Sequence, residues 1–123
     1  LICDRDHCVA AAGISKKEVL ERRNSAALDE IMQSRRLYTA RADESAAALD
    51  GVERDMCVAA PIISAGDVTG AVVMLAGEAA KVPTETDVKL IQVAAGFLGL
   101  CLRVVKNVIE EAVMIKNEND LTI

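Results

Sequence analysis

The sequence predicts an α+β domain with two β-hairpins, short helices between them and one long helix at the C-terminal end. Three observations carry this. Two runs rich in β-branched residues, MCVAAPIIS and VTGAVVMLAG, flank a tight turn. Helical patterns begin near Ser15 and Ala26. From Thr84 onward no proline interrupts an apolar pattern with three-to-four spacing.

With 123 residues the chain falls where one hydrophobic core forms and two do not. Apolar residues make up 52% and aromatics only 2%, so the core must be built of Val, Ile, Leu and Ala, and a ligand would find few rings to stack on. A formal charge of −5 opposes non-specific attraction to nucleic acid or anionic membrane. The basic pairs Lys16 and Lys17, Arg22 and Arg23, and Arg35 and Arg36 lie among acidic neighbours and read as solvated helix faces. The uncharged run from Val93 to Leu102 is about half of the ~20 residues that cross a bilayer, so no membrane partner is expected. No basic-then-apolar leader opens the chain, which begins at Leu1 and reads as a fragment or a processed protein. Four cysteines without a secretion signal read as reduced thiols in the cytoplasm.

Taken in order, LICDRDHCVAAAG places two short apolar runs around Asp4 to His7, a hairpin pattern. Ser15 and Glu18 have capping-box spacing, and a helix should follow from Ser15. Leu28, Ile31 and Met32 give a second helix over 26–36. Leu37 to Ala40 suits a short strand, and the alanine- and charge-rich stretch to Asp55 reads as mobile. The central hairpin turns at Ala65, Gly66 and Asp67. Pro61 removes one ladder donor, so its strand is interrupted or bulged there, or paired on one side only. Thr84 caps the last helix, with Glu85 and Asp87 at the positive end of its dipole. That helix is expected over 84–116, extending beyond a domain of residues 1–102, with 117–123 as a flexible tail.

Ile91, Ala94, Leu98, Cys101, Val105, Val108, Ala112 and Ile115 form an alternating three-and-four stripe, the seam of a coiled coil. A second stripe, Leu90, Val93, Phe97, Leu100 and Val104, runs beside it. One face can then cover the sheet and the other a second helix. The first stripe is taken as the interface of a homo-oligomer, dimer or tetramer, because so long an exposed apolar stripe is rare on a monomer.

The blocks ICDRD, SKK, Pro61-Ile62, Gly66-Asp67, Gly70-Ala71-Val72-Val73 and Ala94-Ala95-Gly96-Phe97-Leu98, in this order, resemble the GAF domain of the stage V sporulation protein T family over about residues 1–102. The resemblance implies a GAF-like antiparallel sheet flanked by helices, in transcription regulators that join an AbrB-type DNA-binding hairpin to a domain sensing an unidentified small molecule. DNA would be reached only through that N-terminal part, which this chain lacks. The family's helix before the first strand is also missing here, so a second chain or the helix's own extended end must cover the terminal helix. The implied ligand pocket lies between the sheet and residues 37–55, with Tyr38, Arg41 and Asp43 as polar candidates and Cys57 at the start of the central hairpin.

Catalytic signatures are weak. If Arg5 and Asp6 form a two-residue loop, Cys3 and Cys8 face each other, close enough for a metal or a disulfide. Two thiols and one imidazole fall short of a closed zinc set, so the pair reads as packed thiols beside an exposed His7, with no metal and no cofactor. Cys57 makes a GAF-type methionine sulfoxide reductase conceivable, but nothing beside it in sequence lowers its pKa. A lone His and the absence of a nucleophile motif leave a hydrolase without support. The expected function is a regulatory sensor, not an enzyme; a ligand-free oligomerisation module is the alternative.

Overall fold

Turn chemistry sets the centre of the molecule. In the computed structural model β4 (Met56–Ser64) and β5 (Asp67–Leu75) pair antiparallel, with Ser64 opposite Asp67. The two residues between them, Ala65 and Gly66, have φ of 52° and 87°. Positive φ at both positions is the two-residue turn whose twist matches the flanking strands, so Asp67 belongs to the strand and not to the turn. The structure describes residues 1–43, 45–77 and 82–121, with helix side chains described through residue 112.

Three further strands complete an open antiparallel sheet in the order β2-β1-β5-β4-β3: β1 (Ile2–Asp4), β2 (Cys8–Ala10) and β3 (Tyr38–Thr39). β3 pairs with β4 only at Ala59 and Val58. Pro61 lies past that contact, opposite Ala71 of β5, so its missing N–H leaves no gap in the β4–β5 ladder. Of the outcomes expected for Pro61, the strand takes pairing on one side.

Side-chain alternation divides the core between the two sheet faces. Ala59, Ala71, Val73, Met56 and Cys3 pack with Leu28 and Met32 of α2 (Ala26–Ser34) and with Ala48 and Leu49. Val58, Ala60, Ile62 and Val72 pack on the other face against Ile91 and Ala95 of α3 (Glu85–Leu121). A bulge between Met56 and Val58 shifts the alternation, which puts Cys57 with the α3 set.

Helix ends depart from expectation where local hydrogen bonding decides. α1 (Lys16–Val19) is a single turn, and the Ser15 side chain makes no capping bond, so no capping box forms. In α2 the Ser25 hydroxyl accepts from the Leu28 amide at 3.1 Å, and Arg35 in the left-handed region stops the helix short of 36. At the start of α3 Thr84 and Asp87 cap reciprocally, the Asp87 amide donating to Thr84 Oγ1 at 3.2 Å and the Thr84 amide to Asp87 Oδ2 at 3.0 Å. The α3 backbone is helical to Leu121, beyond the expected end at 116, and residues 117–121 of the expected flexible tail are part of it. Residues 122 and 123 lie outside the described residues.

The stretch expected to be mobile is tied down. Ala48 and Leu49 are buried, Leu49 bridges to Asn24 and Ala47 to Asp55, and the Ser25 hydroxyl donates to the Ala47 carbonyl at 2.6 Å. Sequence patterning missed this because Ala47 and Leu49 are held by single bridges and not by a repeating ladder.

α3 meets β4 at backbone distance. A Cβ on Gly99 would collide with the carbonyl oxygen of Ile63, so only glycine lets the helix seat there. Gly99→Ala should lower stability by about 1–3 kcal/mol through overpacking, despite the ~1 kcal/mol helix preference of Ala over Gly. Urea denaturation checks this, and a stabilised variant would contradict the seat.

Candidate functional site

The residues proposed to bind a ligand do not converge. Tyr38 packs half-buried against the α2 side of the core, whereas Cys57 is buried on the α3 side. Arg41 and Asp43 are exposed. The sheet therefore separates Tyr38 from Cys57. The space between sheet, α2 and residues 46–49 is filled by Leu28, Met32, Ala48, Leu49 and Met56. These side chains fill that part of the space, while an open cleft of about 510 Å³ remains beside it, lined by Ser25, Ala47, Leu49, Gly51, Val52 and Asp55.

A half-open cleft of about 530 Å³ lies instead beside the outer strands, lined by Ile2, Ala11, Ile14, Val72, Met74 and Ile91, with Arg54 on its wall. It is assembled from residues 10–14, residues 72–77 and the start of α3. None of the segments carries a motif of its own. The small residues Ala10 to Gly13 are the one sequence feature that hints at open space.

The thiols are packed. Cys3, Cys8 and Cys57 are buried and Cys101 is half-buried, all without a disulfide. Burial pushes the Cys57 thiol up, with Asp87 adding to the effect. Cys3 is raised to about 12, chiefly by burial and next by the neighbouring Cys8. A neutral thiol is a poor nucleophile. At the hairpin turn Asp4 Oδ1 accepts the amides of Asp6 and His7, both at 2.7 Å, and lies 3.5 Å from His7 Nδ1. The amide of His7 is the main reason that the Asp4 carboxyl is held below its usual range. Among the described residues, no group of three or more His, Cys, Asp or Glu is placed to hold a metal ion.

The largest unsatisfied surface is on α3. Of the stripe assigned to an interface, Ile91, Ala94 and Leu98 turn toward the sheet, with Ile91 only 9% exposed. Cys101 is half-buried, Val105, Val108 and Ala112 are exposed, and the side chain of Ile115 lies outside the described residues. The neighbouring stripe is the free one: Leu90, Val93, Phe97, Leu100 and Val104 are all exposed, Val93 at 70% and Phe97 at 63%. The two stripes differ in role because the Gly99 seat fixes which side of the helix meets β4.

Within Glu85–Ala112 α3 also holds an 18-residue window with a mean hydropathy of 1.8, long and apolar enough to cross a bilayer by length and composition alone. The sequence expectation counted only the uncharged run and so fell short of this. A helix placed in a bilayer would have to leave the sheet and uncover Val58, Ala60, Ile62 and Val72, which it now covers.

Burial of Cys3 makes stability depend on pH. Below the ordinary thiol value of about 8.5 both folded and unfolded chains hold the protonated thiol, and its contribution is fully present. As pH rises from there toward about 12, the unfolded chain ionises first and stability is lost, at up to about 1.4 kcal/mol per pH unit. Urea midpoints measured from neutral pH upward should fall in that window, and Cys3→Ala should flatten the fall.

The sequence also matches known proteins. Residues 1–103 match the family described as Stage V sporulation protein T C-terminal, transcription factor. The chain is 35% identical over 100 residues to Stage V sporulation protein T of Bacillus subtilis (strain 168), an alignment covering 80% of this chain and 55% of that protein. It therefore spans about half the length of that relative. With the match extending from β1 through the Gly99 seat of α3, the chain belongs to the Stage V sporulation protein T C-terminal family of transcription factors.

Proposed function

We propose that this chain is the regulatory part of a sporulation-type transcription regulator and that it oligomerises through the exposed side of α3. The observation that carries this reading is the stripe Leu90, Val93, Phe97, Leu100 and Val104, apolar and uncovered along a helix whose opposite side is already used by the sheet. At 37 residues the helix is about 56 Å long, more than the sheet can cover. A second copy of the same helix supplies a matching apolar stripe, and small residues such as Gly96 allow close approach. Pairing two copies would fix the spacing of whatever precedes Leu1. DNA contact belongs to a part outside this chain, since a charge of −5 offers no general attraction to phosphate. The work is regulatory and cytoplasmic in this reading, not enzymatic, and the buried, neutral Cys57 supports it over a thiol reductase.

Small-molecule sensing is the second reading, favoured by the apolar cleft beside β1 and β5. A ligand there would be aliphatic, with an anionic group facing Arg54. By binding one arrangement of the outer strands more tightly than another, it would shift the population of α3 positions.

Light scattering of the purified chain tests the first reading. The wild type should give a dimer or higher even oligomer, and Phe97→Glu should shift it to monomer while circular dichroism stays unchanged, because Phe97 contributes nothing to the domain's own core. A wild-type monomer, or a monomer that floats with lipid vesicles, would overturn it.

A further inference from the structure

We propose that Cys3 and Cys8 are a reversible cross-strand disulfide site, closed by exchange with a low-molecular-weight disulfide. The two residues are register partners between β1 and β2. Asp4 donates to the carbonyl of His7 at 3.0 Å, which closes the two-residue loop of Arg5 and Asp6. The next pair outward, Cys3 and Cys8, is a non-hydrogen-bonded pair. Both backbone groups of Cys8 point away from β1, its amide donating to the Arg22 carbonyl at 2.9 Å and its carbonyl accepting from the Glu21 amide at 2.9 Å. In such pairs the Cα atoms stand about 4.5 Å apart and the side chains are closest, inside the ~4.4–6.8 Å span that a disulfide bridges. Both thiols enter the same buried cluster, at 1% and 0% exposure. A register shift lies one residue away, between Ile2 and Cys3, and the Cys8 thiol now donates to the Ala10 carbonyl at 3.5 Å, a contact that the bridge would replace.

The chemistry balances without a metal or cofactor. One cysteine thiolate attacks a sulfur of the small disulfide, forming a mixed disulfide and releasing one small thiolate. The second cysteine then attacks the protein-bound sulfur, forming the Cys3–Cys8 bond and releasing the other. The two protein thiols lose two electrons, the small disulfide gains them, and the two thiol protons end on the released thiols. Burial makes the first step slow. β2 is a three-residue edge strand, so local opening at the rim gives access without unfolding the sheet. A cleft of about 400 Å³ lined by Lys16, Lys17, Leu20 and Glu21 reaches Cys8 at that rim, and its two lysines outweigh the one carboxylate in attracting an anionic reagent such as oxidised glutathione. Cys57, on the other face of the sheet, has no such partner.

Arg5 lies between the two cysteines, so trypsin separates residues 1–5 from residues 6–16 and a bridge is read as a linked peptide pair. The reduced full chain is incubated with increasing oxidised glutathione, alkylated and digested, with circular dichroism confirming that it stays folded. The linked pair should become the dominant form of both peptides, disappear on adding dithiothreitol, and leave Cys57 alkylated. In Cys3→Ser the glutathione adduct on Cys8 should accumulate instead. Separately alkylated Cys3 and Cys8 at every ratio, glutathione adducts in the wild type that never resolve, or linkage only in urea would each overturn the proposal.

Discussion

The contact on which the rest depends is the seat of α3 on β4, where Gly99 lies against the Ile63 carbonyl. An apolar sheet needs both faces covered. α2 and residues 46–49 cover one, and among the described residues the other is covered mainly by α3. Because the approach is backbone to backbone, the helix cannot roll without a clash, and that fixes which of its stripes is spent on the sheet. Ile91 and Ala95 go inward; Val93 and Phe97 are left outward. The same restriction explains why a helix apolar on nearly every side belongs to a domain with one small core on each sheet face.

Much of this was legible in the residues. The central hairpin turn, read one residue too long, the β-branched runs, the Thr84 cap and the facing of Cys3 and Cys8 follow from short-range rules that need only neighbours in sequence. What was not legible depends on distant partners. Ser15 has the residue spacing of a capping box, but α1 is a single turn and its N-cap side chain stays unbonded. Tyr38 and Cys57 looked like members of one pocket, yet strand alternation and the bulge near Met56 put them on opposite faces. The choice between two equally apolar stripes on α3 could not be made from periodicity, since it rests on one glycine and one carbonyl far apart in the chain.

Exposure of the helix is the observation from which we propose association through α3. The α2 side of the sheet carries fully buried Leu28, Leu49 and Met56, with open clefts only at its margins, beside the end of α2 and beside residues 45–55. The apolar cleft and the Cys3–Cys8 hairpin lie at the outer strands. Sensing, if it uses that rim, would act on β1 and β5, and β5 also packs under α3, which gives a short physical route from the rim to the helix.

Hydrogen exchange along α3, followed as a function of protein concentration, tests the central claim most directly. Of residues 100–112, all but the half-buried Cys101 are exposed, so in a monomer their helix should open readily and exchange fast. The account predicts that amides over 100–112 become slower as concentration rises, while those around Ile91 and Ala95 stay slow throughout. Fast exchange over 100–112 at every concentration would contradict it, because the apolar side of α3 would then have no partner.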